Sequence, residues 1–254
     1  MGDRREPGSS PAAGAPPRFI VIEGVDGAGT TTQCARLVRR LEDAGAVAHG
    51  TREPSDGPIG QLLRRLLRGD AAPVDPPTPT GPTESGERGP GPAGGDPDWR
   101  TMALLFAADR RDHLHREVLP ALRRGSWVVS DRYVHSSVAY QSVAGTGDRE
   151  AVVWVRSLNQ GVRVPDLTVV LEVPAAVAAR RRAARGGPRE LYEADGLQRR
   201  LVDFYRRIDD HFPGEPIVHV DGDRPLDEVA EDVFAAVAPL VVPAGPDPLS
   251  TSTP

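Results

Sequence analysis

The chain contains no lysine, and all 31 of its basic side chains are arginine. It has a single cysteine, Cys34, which excludes an intrachain disulfide and favours a reducing compartment. No apolar run approaches the ~18 residues that would indicate a membrane span. The formal net charge of −5 argues against a surface that coats nucleic acid, because such a surface would be broadly basic. We therefore expect a cytoplasmic protein that binds neither membranes nor nucleic acid.

Proline and glycine are concentrated in segments that are not predicted to pack. Residues 1–17 contain paired arginines without a following hydrophobic stretch, so we interpret them as a disordered tail and not as an export signal. Residues 70–98 are predicted to be a mobile insertion, with an interdomain linker as the alternative. Residues 241–254 are predicted to be a second disordered tail, which leaves one domain over 18–240.

Within this domain, short apolar runs alternate with segments of helical periodicity. The predicted strands are 18–24, 46–54, 127–129, 167–173 and 216–220. The predicted helices are 30–45, 59–69, 99–124, one or two within 136–161, 175–187, 191–212 and 226–240. Strands alternating with helices favour right-handed crossovers and a parallel sheet covered on both faces. We therefore predict an α/β fold with a five-stranded parallel sheet in one three-layer domain.

The stretch GVDGAGTTTQ (24–33) has nearly everything that a phosphate-binding loop needs. Gly24 and Gly29 are separated as in the Walker A motif, and Thr31 occupies the position of the Ser or Thr whose hydroxyl binds the metal. The position of the Walker A lysine, however, is occupied by Thr30. The loop follows a predicted strand and opens a helix, so its backbone N–H groups would face a phosphate. A tight turn with spare glycines is the alternative. The predicted ATP phosphate-binding residues are Gly24, Val25, Asp26, Gly27, Ala28, Gly29, Thr30, Thr31 and Thr32.

Several further motifs occur in a fixed order along the chain: IEGVDGAG (22–29), TREP (51–54), LLFAADR (104–110), DRYVHSSVAYQ (131–141), PDLTVVLEV (165–173) and RGGPRELYE (185–193). Together they resemble the thymidylate kinase family, whose members pass a phosphoryl group from ATP to dTMP. The resemblance implies a P-loop kinase fold with a short lid at about 182–193. It also implies ATP and dTMP as substrates, Mg²⁺ as cofactor, and a homodimer formed through the helices around 99–124 and 136–160.

The same resemblance implies a pocket for the acceptor, dTMP. Phe106 would stack on thymine, with a plain core aromatic as the alternative, and Arg110, one helical turn later, would reach the acceptor edge of the base. Tyr140 would crowd the 2′ position of the sugar and so favour deoxyribose. The residues implied to bind dTMP are Arg52, Glu53, Pro54, Phe106, Arg110, Arg132, Ser136, Ser137, Tyr140, Gln141, Tyr192 and Glu193.

Catalysis of phosphoryl transfer consists mostly of positioning and positive charge, because charge is spread over the equatorial oxygens in a loose transition state. The resemblance implies that Arg132 grips the dTMP phosphate, a task that suits a planar bidentate donor. Asp26 would orient the metal or the acceptor. Thr31 and Asp131 would hold magnesium, with an ion pair to Arg132 as the alternative for Asp131.

Thymidylate kinases differ in which segment of the chain carries the arginine that contacts the transferring phosphate. Some members carry an arginine directly after the loop aspartate, where this chain has Gly27. Members with glycine there use arginines of the lid. Arg181, Arg182, Arg185 and Arg189 lie in this region, and we interpret much of the run as a solvated helix face. Arg185 and Arg189 are the predicted catalytic lid residues.

Thr30 retains a hydroxyl donor at the lysine position but removes a full charge. A charge-assisted hydrogen bond contributes ~1.5–3 kcal/mol, which corresponds to roughly a ten- to hundred-fold rate effect if nothing compensates. A non-catalytic nucleotide-binding homologue and a kinase for another nucleoside monophosphate are the alternatives. A chain freed from catalysis has no physical need to keep Phe106, Arg110 and Arg132 in register. The prediction is therefore an active dTMP kinase that makes dTDP for dTTP biosynthesis.

Overall fold

The computed structural model describes residues 16–69, 97–186 and 191–241. Within these ranges one parallel sheet has the strand order β2-β3-β1-β4-β5. Its strands are β1 Phe19–Gly24, β2 Ala48–Arg52, β3 Trp127–Asp131, β4 Leu167–Glu172 and β5 Ile217–Asp221. The three central strands are almost completely buried, as expected for apolar strands covered on both faces. The predicted five-stranded parallel sheet is confirmed.

Helices flank this sheet and complete the predicted α/β architecture. They are α1 Thr30–Asp43, α2 Pro58–Leu67, α3 Trp99–His113, α4 Leu119–Arg123, α5 Val134–Ala144, α6 Arg149–Leu158, α7 Ala175–Arg185, α8 Asp195–Tyr205 and α9 Leu226–Val241. Helices α1 and α9 pack against each other and against the sheet, while α4, α5 and α8 also contact its strands. Within the described ranges, no helix is long and apolar enough to cross a membrane.

Three predicted helical segments are interrupted in the structure. The segment 99–124 passes from α3 through a π-helical turn, Leu114–Val118, into α4, because Pro120 has no N–H for a regular helical hydrogen bond. In 136–161, a glycine-containing turn separates α5 from α6, and the Asp148 carboxylate caps α6 by accepting from the Ala151 N–H. The segment 191–212 is helical only in α8 and in a 3₁₀ turn, Ile208–His211.

The limits of the predicted tails and insertion remain predictions, since most of those residues lie outside the described ranges. At the end of the predicted insertion, Asp98 caps α3 by accepting from the Arg100 N–H at 2.8 Å. The helix therefore begins immediately after the proline- and glycine-rich segment.

The parallel register brings the main motifs to one edge of the sheet. Asp131, at the end of β3, lies beside Ile22 of β1 and Arg52 of β2. The loop after β1 and the turn after β3 are therefore neighbours, although more than a hundred residues separate them in the sequence. Ligands bind at this carboxyl edge in open α/β sheets.

Candidate active site

The loop between β1 and α1 lines a cleft of about 1300 Å³, including its open mouth, which we call the loop cleft. Gly27 and Gly29 have φ angles of 89° and 99°, which are readily adopted only by glycine. The lining residues are 26–33, Arg132, Arg181, Arg185, Gly222, Arg224, Leu226 and Val229. Most predicted phosphate-binding residues therefore line one cleft, while Gly24 and buried Val25 lead into it.

A second cleft, the inner cleft, has an empty volume of about 560 Å³ including its mouth. It contains most of the residues that the resemblance implies for dTMP. The lining residues are Asp26, Glu53, Pro54, Leu67, Phe106, Arg110, Arg132, Tyr133, Ser136, Ser137, Tyr140, Gln141 and Tyr192. All residues that the resemblance implies for dTMP binding lie within the described ranges. Among them, Arg52 and Glu193 do not line the inner cleft. Arg52 is instead half exposed and pairs with Asp56 at 2.9 Å.

Asp26 and Arg132 line both clefts and so mark where the two meet. The Arg132 guanidinium donates to Asp26 Oδ1 at 2.6 Å, to the Gly24 carbonyl at 2.9 Å and to Ser136 Oγ at 3.0 Å. Its φ of 73° places Arg132 in the left-handed region, which is uncommon for a residue other than glycine. A fixed cation therefore lies at the junction of the clefts.

Asp131 accepts a hydrogen bond from the Thr31 hydroxyl at 2.5 Å. Its other carboxylate oxygen, Oδ1, is buried and has no hydrogen-bond partner among the described residues. The predicted alternative, an ion pair between Asp131 and Arg132, is not formed, because Arg132 pairs with Asp26. A hydroxyl beside a carboxylate with a spare oxygen is a donor set that fits a hard cation such as Mg²⁺.

Aromatic rings form one wall of the inner cleft. Phe106 is partly buried and lines the cleft, so it is not solely a core residue. The Tyr140 ring packs edge-on against Tyr192 with centroids 5.7 Å apart, and its hydroxyl accepts from the Asp26 N–H at 3.0 Å. Burial raises the pKa of Tyr140, so the phenol is neutral at physiological pH. Tyr192 brings the segment after α7 to this wall.

Comparison with known proteins gives the family. A sequence model of thymidylate kinases matches residues 22–78 and 93–233. A thymidylate kinase of Thermomicrobium roseum is 38% identical to this chain, over 88% of this chain and 95% of the relative. A thymidylate kinase of Alkalilimnicola ehrlichii is 35% identical, over 88% of this chain and 94% of the relative. A probable thymidylate kinase of Pyrobaculum aerophilum is 36% identical, over 88% of this chain and 97% of the relative. The chain belongs to the thymidylate kinase family. The predicted resemblance and its P-loop kinase fold are confirmed.

This thymidylate kinase differs from the Walker A pattern at the lysine position. Thr30 is buried, with 6% of its surface exposed, and lines the loop cleft as the first residue of α1. The cationic side chains that line that cleft among the described residues are Arg132, Arg181, Arg185 and Arg224. Positive charge therefore surrounds the loop from other elements.

Helix α7 packs directly on the loop at Gly27. A Cβ atom at Gly27 would lie 2.4 Å from the Ala178 carbonyl oxygen, a distance that real contacts do not reach. The position at which some thymidylate kinases carry an arginine is therefore filled by the backbone of α7. Helix α7, which packs beside Gly27, carries Arg180, Arg181, Arg182 and Arg185.

Arg181 and Arg182 of α7 hydrogen-bond the loop, whereas Arg180 and Arg185 of the same basic run are exposed. Arg182 donates to the Asp26 carbonyl at 2.7 Å and Arg181 to the Ala28 carbonyl at 3.3 Å. Arg185 is more exposed and pairs with Glu193 at 3.1 Å. Arg189, the other predicted lid residue, lies outside the described residues.

Glu23 was not singled out by the sequence analysis, yet it organises the turn after β3. It is fully buried and accepts from the Tyr133 N–H, from both the N–H and the hydroxyl of Ser136, and from the Tyr205 hydroxyl. These donors satisfy a carboxylate that would be costly to bury alone. The sequence signal was a charged residue at the end of the apolar run FIVI.

Proposed function

We propose that the chain phosphorylates dTMP to dTDP with ATP, as a step in cytoplasmic dTTP biosynthesis. The observation that carries this proposal is the wall shared by the two clefts, where Asp26 and Arg132 face both. A donor phosphate on the loop and an acceptor phosphate in the inner cleft would meet at this wall. Such juxtaposition is what phosphoryl transfer requires, since catalysis rests on positioning and charge.

On the acceptor side, Phe106 stacks on the thymine ring and Arg110 faces its acceptor edge. The Tyr140 ring leaves no room for a 2′ hydroxyl on the sugar. The planar guanidinium of Arg132 binds the acceptor phosphate. Ser136, Ser137 and Gln141 are nearby polar contacts, and Tyr192 and Glu193 close the cleft from the lid side. The inner-cleft geometry supports all of these roles except that of Glu193, which rests on the resemblance. Arg52 borders the site from outside the cleft.

On the donor side, the backbone N–H groups of Gly27 and of Gly29 to Thr32 cradle the phosphates at the start of α1, since those of Asp26 and Ala28 already donate to Tyr140 and Val25. Thr31 and Asp131 would hold Mg²⁺, which would supply positive charge to neutralise the phosphates. Asp26 orients Arg132 toward the acceptor by accepting one arm of its guanidinium. Arg181 and Arg185 contribute positive charge over the loop, in place of the absent lysine.

Acceptor competition tests this function and separates it from a kinase for another nucleoside monophosphate. ADP release would be measured with ATP and Mg²⁺ against dTMP, dUMP, UMP and CMP as acceptors. We expect the highest kcat/KM with dTMP, because Phe106 and Tyr140 favour a thymine base and a deoxyribose. UMP or CMP exceeding dTMP would contradict the proposed acceptor.

Arg185 gives a test of the lid. Arg185→Ala is expected to lower kcat about ten-fold, because one charged contact to the transferring phosphate is lost. Arg180→Ala is the matched control, since Arg180 is exposed on the same helix and does not line the loop cleft. Equal turnover of both variants and the wild type would show that Arg185 takes no part.

We also propose that the protein is a homodimer. Leu104 of α3 and Val153 of α6 are 52% and 55% exposed, and both lie in the helices that the resemblance implies for the interface. Pairing of two copies would cover these apolar side chains. Light scattering that gives the mass of one chain would refute this.

A further inference from the structure

A row of polar side chains joins the edge strand β2 to helix α3 and ends at the inner cleft. His49, Thr51 and Glu53 alternate along the chain, so their side chains share one side of the strand. They face Arg110 and His113 of α3 and Glu117 of the π-helical turn. His49 and Glu117 are partly exposed, whereas His113, Glu53 and Arg110 are almost completely buried.

The centre of this row is the Glu53 carboxylate, which is shared between two partners. Its Oε2 accepts from Arg110 Nη2 at 2.6 Å, and its Oε1 lies 3.2 Å from His113 Nδ1. The other ring nitrogen of His113 lies 2.7 Å from the Thr51 hydroxyl. The histidine ring is therefore held at both nitrogens and fixes the rotation of the carboxylate.

Arg110 in turn has its guanidinium fixed at the cleft wall. Besides Glu53, its terminal nitrogens donate to Asn159 Oδ1, to Ser137 Oγ at 2.9 Å and to the Tyr133 carbonyl at 3.0 Å. Glu53, Ser137 and Tyr133 themselves line the inner cleft. A rotation of the Glu53 carboxylate would therefore move both Arg110 and the cleft wall.

The loop that carries Glu53 does not depend on His113 for its position. Asp109 accepts from the Ser55 N–H at 2.7 Å and from the Ser55 hydroxyl at 2.5 Å, and the Glu53 N–H donates to the Asp131 carbonyl at 3.0 Å. Loss of His113 should therefore change the orientation of one carboxylate and leave the loop in place.

We infer that His113 is a positioning residue for the acceptor: acting through Glu53, it sets the orientation of the Arg110 guanidinium that faces the base. The inference rests on the proposed function of the inner cleft. Burial alone would lower the pKa of His113, but its hydrogen bond to Glu53 and the charges of Glu53, Glu117 and Asp109 outweigh burial and raise it. A proton on Nδ1 is present in the charged ring and in the neutral tautomer that suits these contacts.

Two amide substitutions separate the bond to Glu53 from the bond to Thr51. In His113→Asn the side-chain amide lies near the former Nδ1 and can still donate to Glu53. In His113→Gln the amide reaches toward the former Nε2 and can contact Thr51 instead. We expect His113→Asn to keep the KM for dTMP within two-fold of the wild type. His113→Gln should raise it about ten-fold, with kcat and the KM for ATP nearly unchanged.

The controls distinguish a local from a general effect. Equal melting temperatures for the two variants would show that both fold alike, and calorimetric titration with dTMP measures affinity without turnover. Equal dTMP affinities for the Asn and Gln variants, or a KM for ATP that rises as much as that for dTMP, would overturn the inference. A wild type that binds no dTMP would overturn the proposed function itself, and with it this role of His113.

Discussion

Replacement of Arg132 by alanine is expected to lower kcat/KM for dTMP by about a hundred- to ten-thousand-fold. Arg132 is the cation that both clefts share, and its fork can make two charge-assisted bonds to an acceptor phosphate. Each such bond contributes ~1.5–3 kcal/mol, and each ~1.4 kcal/mol changes the rate ten-fold. The measurement is steady-state kinetics with dTMP varied at saturating ATP.

Two further variants show whether the loss at Arg132 is specific. Arg132→Lys keeps the charge but not the planar fork, so its kcat/KM should fall between those of the wild type and the alanine variant. Arg206→Ala removes an exposed arginine that pairs with Asp203 at 3.7 Å and should behave as wild type. An Arg132→Ala enzyme within three-fold of the wild type would contradict the role of Arg132.

Gly27→Ala is expected to lower both stability and turnover. The added Cβ would lie 2.4 Å from the Ala178 carbonyl, so α7 must shift away from the loop. Such a shift breaks the contacts of Arg182 with Asp26 and of Arg181 with Ala28. We expect kcat to fall about ten- to hundred-fold, because lid charge is lost from the phosphates. Chemical denaturation and the ADP-release assay measure the two effects.

Gly45→Ala is the matched control for backbone strain. Gly45 has a φ of 87°, close to the 89° of Gly27, but a Cβ there would meet no atom within 4 Å. The left-handed conformation alone costs about 1–2 kcal/mol, so both variants should lose that much free energy of unfolding. Only Gly27→Ala should lose more free energy of unfolding than this, and only Gly27→Ala should have a lower kcat. Identical behaviour of the two variants would show that the packing of α7 on the loop has no functional role.

The sheet and its site-bearing edge could be predicted because the signals are local in the sequence. Glycine spacing after an apolar run predicts the loop at residues 24–29, and the carboxyl ends of parallel strands meet at one edge. The resemblance to thymidylate kinases implied that the motif around Arg132 and the helix bearing Phe106 share this site. The structure places Phe106, Arg132 and Tyr140 in one cleft.

What could not be predicted depends on contacts between distant elements. The sequence shows that Arg181 and Arg182 lie in a basic run, but whether a helix face meets water or a loop depends on tertiary packing. The four donors to Glu23 come from α5, α8 and the turn after β3, and no spacing rule relates them. The link from His113 to Arg110 likewise requires β2 and α3 to be adjacent.

The central claim is that this thymidylate kinase family member is catalytically active with threonine at the lysine position. The most direct test is a coupled ADP-release assay with ATP, Mg²⁺ and dTMP, run on the wild type beside Thr30→Lys. We predict dTMP-dependent turnover by the wild type and a change of no more than about ten-fold in the lysine variant, since arginines already surround the loop. No wild-type turnover, with activity appearing only in Thr30→Lys, would show that the loop has lost its chemistry and that the clefts only bind nucleotides.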